Sequence, residues 1–92
     1  MPAVVDADLY PMLCELVADK NKAEGLLFAL ASELRYVPLE ERTRALHVRA
    51  LELKRDVAEW LRRRPDASTR QALCREVQDL QAETRFLLQR AD

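Results

Sequence analysis

Apolar residues recur along the first third of this chain at alternating spacings of four and three. Leu9, Leu13, Leu16, Ala23, Leu27, Leu30, Leu34 and Val37 hold the pattern, with Lys20 the one polar member. A 3.6-residue repeat puts these positions on one stripe of an α-helix, while a strand would alternate them between faces. Such a stripe is a packing seam, and a seam needs partners.

The rest of the sequence supplies them. Pro38 and Pro65 divide the chain into three segments of similar length. The second, about 38–64, carries Leu39, Thr43, Leu46, Ala50, Leu53, Val57 and Trp60 on one stripe, with Leu51, Ala58 and Leu61 widening the face. The third, about 69–90, carries Leu73, Val77, Leu80, Thr84, Leu87 and then Ala91. Short connections force antiparallel neighbours. The fold class expected is all-α: residues 1–92 as a single helical domain, an up-down-up bundle of three long helices with coiled-coil-like packing. The helices are predicted over about 9–36, 38–64 and 69–90. Trp60, Leu53 and Leu80 are assigned to the core. One glycine in 92 residues leaves too few turns for an all-β domain, and it excludes glycine-rich phosphate loops.

Local signals suggest the helix ends. Asp8 is the expected N-cap of the first helix, with Pro11 in its first turn. Pro38 suits the first position of the second, where Glu40 and Glu41 complement the helix dipole. Arg62, Arg63 and Arg64 close that helix before Pro65 stops it. Ser68 with Gln71 has capping-box spacing for the third.

The first helix has more apolar surface than its seam requires. Tyr10, Cys14 and Val17, then Phe28 and Ala31, form a second stripe, and Leu26 and Ala29 extend the greasy circumference. Two neighbouring helices cover only part of such a helix. The candidate partner or dimer interface is therefore Tyr10, Cys14, Val17, Leu26, Phe28 and Ala31, with Phe86 and Leu88 as outlying contributors. A twofold homodimer is the commonest way to cover a surface of this kind.

Chemistry is sparse. His47 is the single histidine and flanks the second seam, as a helix-surface residue does. Zinc needs about four clustered ligands. One histidine and two cysteines sixty positions apart do not supply them, so no metal or cofactor is expected. Ser32 and Ser68 lack a nucleophile-elbow setting. Cys14 and Cys74 fall at corresponding depths of the first and third helices, either as small apolar fillers or as a redox-sensitive or intermolecular pair.

The net charge is −1, unlike that of a dedicated nucleic-acid binder. Residues 37–64 carry eight basic and five acidic groups, while residues 1–36 carry three basic and six acidic. Attraction between oppositely charged helices explains this division. Arg42, Arg49 and Arg63 share one face of the second helix, and Arg44, Arg55 and Arg62 another. Glu40–Arg44 and Glu59–Arg63 have the i,i+4 order that stabilises a solvated face. The N-terminal sequence has no signal-peptide pattern, and the longest uncharged run, Gly25 to Ser32, is far too short to cross a bilayer. The expected location is the cytoplasm.

The function expected is therefore non-enzymatic: a protein–protein interaction module (a small adaptor, chaperone or anti-activator-type regulator) acting through an apolar helical face. Its partners are another protein, a second copy, or both. The alternative is a nucleic-acid-associated accessory protein using the second helix's arginines.

Overall fold

The computed structural model describes residues 2–90, with side chains from Leu9 onward. Every regular element among them is helical. Helix α1 spans Pro2–Leu34, α2 Arg44–Ala58, α3 Trp60–Arg63 and α4 Ala67–Gln89, with a 3-10 turn at Glu41–Thr43 before α2. The bundle is a rod of 63 × 19 × 18 Å. At 1.5 Å per residue α1 alone accounts for about 50 Å of that length.

Cross-helix contacts set the directions. Arg70, near the start of α4, meets Glu15 and Asp19 in the first half of α1, and Arg85 near its end meets Glu33. Helices α1 and α4 therefore run parallel. The second segment returns between them, since Leu46 packs with Leu34 and Val37 while Trp60 packs with Leu16 and Ala23. The up-down-up order follows.

The seam of α1 becomes the core. Leu16, Ala23, Leu30, Leu34 and Val37 are buried, and Leu13 and Leu27 pack against them. Lys20 keeps its place by directing its ammonium to Glu24 Oε2 at 2.8 Å. The core has three layers: Leu16, Ala23, Val57, Trp60 and Cys74; Leu30, Leu53 and Val77; and Leu34, Val37 and Leu46. Trp60 and Leu53 are fully enclosed, and Leu80 packs on two layers. Thr84 is also enclosed, its hydroxyl donating to Leu80 O at 2.8 Å. Ala91 lies outside the described residues.

Several helix ends differ from expectation. The backbone at Asp8 is already inside α1, so the cap expected there is absent, and Pro11 lies in the helix interior. Proline there leaves one i→i−4 hydrogen bond unmade. Residues 35–36 form a turn, so α1 ends at Leu34 and not at Tyr36. Pro38 does not start α2. The chain stays out of helix over 38–40, with Glu40 extended, and Thr43 explains why: its hydroxyl donates to Pro38 O at 2.6 Å and accepts from the Glu40 amide at 2.9 Å. That knot delays regular helix to Arg44. His47 adds a latch, its Nε2–H donating to Val37 O at 3.0 Å.

The second segment is also interrupted. Glu59 leaves helical geometry at φ −92°, ψ 3°, although its amide still reaches Arg55 O at 3.1 Å. The amides of Arg62 and Arg63 then both bond Glu59 O, resuming the helix as one turn. Arg64 ends it in the left-handed region at φ 50°, ψ 61°. The N-cap of α4 is Asp66, whose carboxylate accepts from the Thr69 amide at 2.8 Å. Ser68 is consequently inside the first turn, because an aspartate two residues earlier takes the orphan amide.

Candidate interaction surface

The six residues proposed from sequence do not form one face. A helix turns about 100° per residue, so Leu26 and Phe28 project some 200° apart. Phe28 is 76% exposed on the side away from the bundle. Leu26 instead packs half-buried against the first two core layers beside Leu73 of α4. Leu26 thus leaves the candidate surface.

The remaining members stay outside. Tyr10 is 70% exposed, Val17 is 42% exposed, and Cys14 and Ala31 are exposed. With Asn21 and Glu24 between them they complete a second stripe at spacings of four and three, 10-14-17-21-24-28-31, about 100° round the helix from the core seam. Helices α2 and α4 cover the other side. Of the outlying residues, Leu88 packs on the third core layer, whereas Phe86 stays exposed on α4 with Arg90 over its ring at 5.3 Å.

Ala31 also borders a second feature that sequence reasoning missed. Between α1 and α2 runs a groove of about 360 Å³ with a floor of Leu27, Leu30, Leu34 and Ala50. Leu39 and Leu51 line it and stay exposed. Both belong to the face assigned to the core from sequence. The delayed start of α2 leaves Leu39 in non-helical chain outside the bundle. Leu51 follows Ala50 round the helix and faces solvent, as do Ala58 and Leu61. Arg35, His47 and Lys54 are the groove's basic residues, and no carboxylate lines it.

Four of the second segment's arginines, Arg42, Arg49, Arg62 and Arg63, engage acidic partners, and Glu40 pairs with Arg42 in place of the expected Arg44. Arg49 makes a two-pronged pair with Glu76 of α4 and reaches Glu52 at 3.0 Å. Arg42 meets Glu40 at 3.1 Å, and Glu59 holds both Arg62 and Arg63, at 2.9 and 3.1 Å. The Arg49 guanidinium holds the Glu76 carboxyl below the usual carboxylate range, burial opposing it more weakly. Hydrogen bonds from Arg85 and then Gln81 do the same for Glu33.

The cysteines are separated. Cys74 is buried in the first core layer, and burial raises its thiol pKa. Cys14 is exposed on the outer stripe. The pairing of Asp19 with Arg70 sets Cys74 level with residues about 22–23 of α1, more than two helical turns from Cys14. An intrachain bridge is therefore sterically closed.

Among the described residues, no group of three His, Cys, Asp or Glu is placed to hold a metal ion. None of their helices is long and apolar enough to cross a membrane. The chain is an all-α helical bundle. No protein-family model matches it, and neither a curated protein nor a solved structure aligns with it significantly.

Proposed function

We propose that this bundle is a non-enzymatic protein–protein interaction module, a small cytoplasmic adaptor or regulator that works by packing helices against a partner. The observation carrying this reading is the outer face of α1. A tyrosine, a valine and a phenylalanine stand in water there at helical spacing, on a helix whose separate seam already supplies the core. Contiguous exposed apolar surface marks interaction sites, and helix-in-groove docking uses such stripes. The groove beside it, with Leu39 and Leu51 on its walls, extends the surface to α2.

Two substitutions test this. Phe28→Glu addresses the outer face and Leu51→Glu the groove, and both sites are exposed enough to leave the fold intact by circular dichroism. Affinity capture and light scattering should show each variant losing associations made by the wild type, its own included. If both variants keep every one of them, the interaction reading is wrong.

A further inference from the structure

We infer that the occupant of the α1 outer face is a second copy of this chain, lying antiparallel across a twofold axis. This deepens the interaction reading and rests on it.

The stripe is self-complementary in one register. Place the axis midway between positions 21 and 24, so that paired residue numbers sum to 45. Val17 then meets Phe28 of the second copy, an apolar pair on each side of the centre. Cys14 meets Ala31, a small pair that fits under the flanking aromatics. Tyr10 meets Arg35, a ring facing a guanidinium, the contact Arg35 already makes in its own chain at 4.7 Å from the Tyr36 ring. At the centre Asn21 meets Glu24. Lys20 occupies Glu24 Oε2 at 2.8 Å, leaving Oε1 to accept from the Asn21 amide across the interface. A polar layer of this kind fixes register in helix pairs.

The alternating spacing supports the same direction. Counted as a heptad, Val17 and Phe28 hold the two different seam positions, as do the other three pairs, and antiparallel helices layer one kind against the other. A parallel pair would instead set Glu24 against Glu24 and Arg35 against Arg35, both repulsive.

Gly25 is an independent observation. A mid-helix glycine costs about 1 kcal/mol relative to alanine. Nothing within 4 Å would obstruct a Cβ there, so the subunit's own packing does not require it. Ala18, Gly25 and Ser32 recur every seven residues along one flank of the stripe, all of them small. The Ser32 hydroxyl is already bonded to Phe28 O at 2.9 Å. Small flanking residues let two helix axes approach closely, near the lower end of the ~8–10 Å range. Gly25 lies beside the proposed axis, where the approach is closest.

The deciding experiment is site-specific cross-linking with a mass measurement. Wild type should sediment at twice 10.6 kDa, and Phe28→Glu should weaken self-association at least ~100-fold while remaining folded. In the antiparallel register the two Cys14 residues are about 25 Å apart, seventeen residues along the helix. Mild oxidation of wild type should therefore give no covalent dimer. Ala31→Cys should oxidise to a covalent dimer whose peptide map links position 14 of one copy to position 31 of the other. A monomeric wild type, a Cys14–Cys14 bridge, or a dimer unaffected by Phe28→Glu would each overturn the inference. A monomeric wild type would still leave Leu51→Glu to decide the broader interaction reading.

Discussion

The indole N–H of Trp60 donates to the carbonyl of Leu16 at 3.1 Å, inside the first core layer and across forty-four residues of sequence. Trp60 has no exposed surface, and it ties the one-turn α3 to the first half of α1. Leu16 O is an interior helix carbonyl, so this bond adds to its helical one. Trp60→Phe should therefore remove a donor without orphaning an acceptor. We expect a cost of about 2 kcal/mol, from a hydrogen bond near 1 kcal/mol and the space left by the smaller ring. Trp60→Ala should cost about 3–5 kcal/mol, a large part of the ~5–14 kcal/mol available to a chain of this size. Urea titrations followed by circular dichroism would measure both, because the chain has no second tryptophan to report by fluorescence.

Arg70 is the buried charge that joins α4 to α1. Its Nε donates to Asp19 at 2.7 Å, one terminal nitrogen donates to Pro65 O at 2.8 Å, and the other reaches Glu15 at 3.2 Å. Asp19 and Glu15 both reach water, so removing the arginine leaves no stranded anion. Arg70→Ala should cost about 2 kcal/mol, below the 3–5 kcal/mol of a fully enclosed pair. Arg70→Met keeps the apolar stem in place and should recover about half of that loss. Equal urea midpoints for the two variants would show that the stem contributes nothing.

Periodicity makes the core legible in this sequence. The α1 seam is buried as its spacing requires, and Leu46, Leu53, Val57 and Trp60 continue it on the return segment. Boundaries are less legible because caps compete: Asp66 takes the amide that Ser68 could have served, and the Thr43 hydroxyl ties back residues 38–40. The candidate surface is legible in part. Composition groups Leu26 with Phe28, whereas angle separates them, and an angular count would have excluded Leu26. The groove and the Arg70 contacts depend on how the helices align lengthwise, which no local pattern encodes. Arg70 is found only once Asp19 and Pro65 are brought beside it.

Arg64 carries the one positive φ among the described non-glycine residues. Its amide bonds Trp60 O at 2.7 Å, closing α3 in the position where helices usually place glycine. A side chain in that conformation costs about 1–2 kcal/mol, part of which glycine returns as extra freedom in the unfolded chain. Arg64→Gly should therefore stabilise the bundle by about 0.5–1 kcal/mol, raising Tm by several degrees. Arg64→Ala should give no such gain, since it removes the charge and keeps the strained Cβ. A calorimetric scan in which alanine matches glycine would assign the effect to charge instead of backbone.

Acid should loosen this bundle through carboxylates that bridge or cap helices. Glu76 is held below its ordinary value of 4.5 by the hydrogen bond from Arg49, Glu33 by those from Arg85 and Gln81, and Asp66 below 3.8 by that from Thr69. A carboxyl group with a lowered native pKa binds more protons when unfolded. Its stabilisation is complete above the unfolded value and is lost as pH falls through the native one. Thermal midpoints should thus be flat near neutrality and fall from about pH 4.5 downward, with the Arg49 guanidinium charged throughout. Glu76→Gln removes one of these groups and keeps the side chain's shape. It should melt below wild type at pH 7, and the gap should narrow as pH drops, because acid neutralises the wild-type carboxylate as well. Melting curves separated by the same interval at pH 7 and at pH 3 would show that the Arg49–Glu76 contact acts through shape and not through charge.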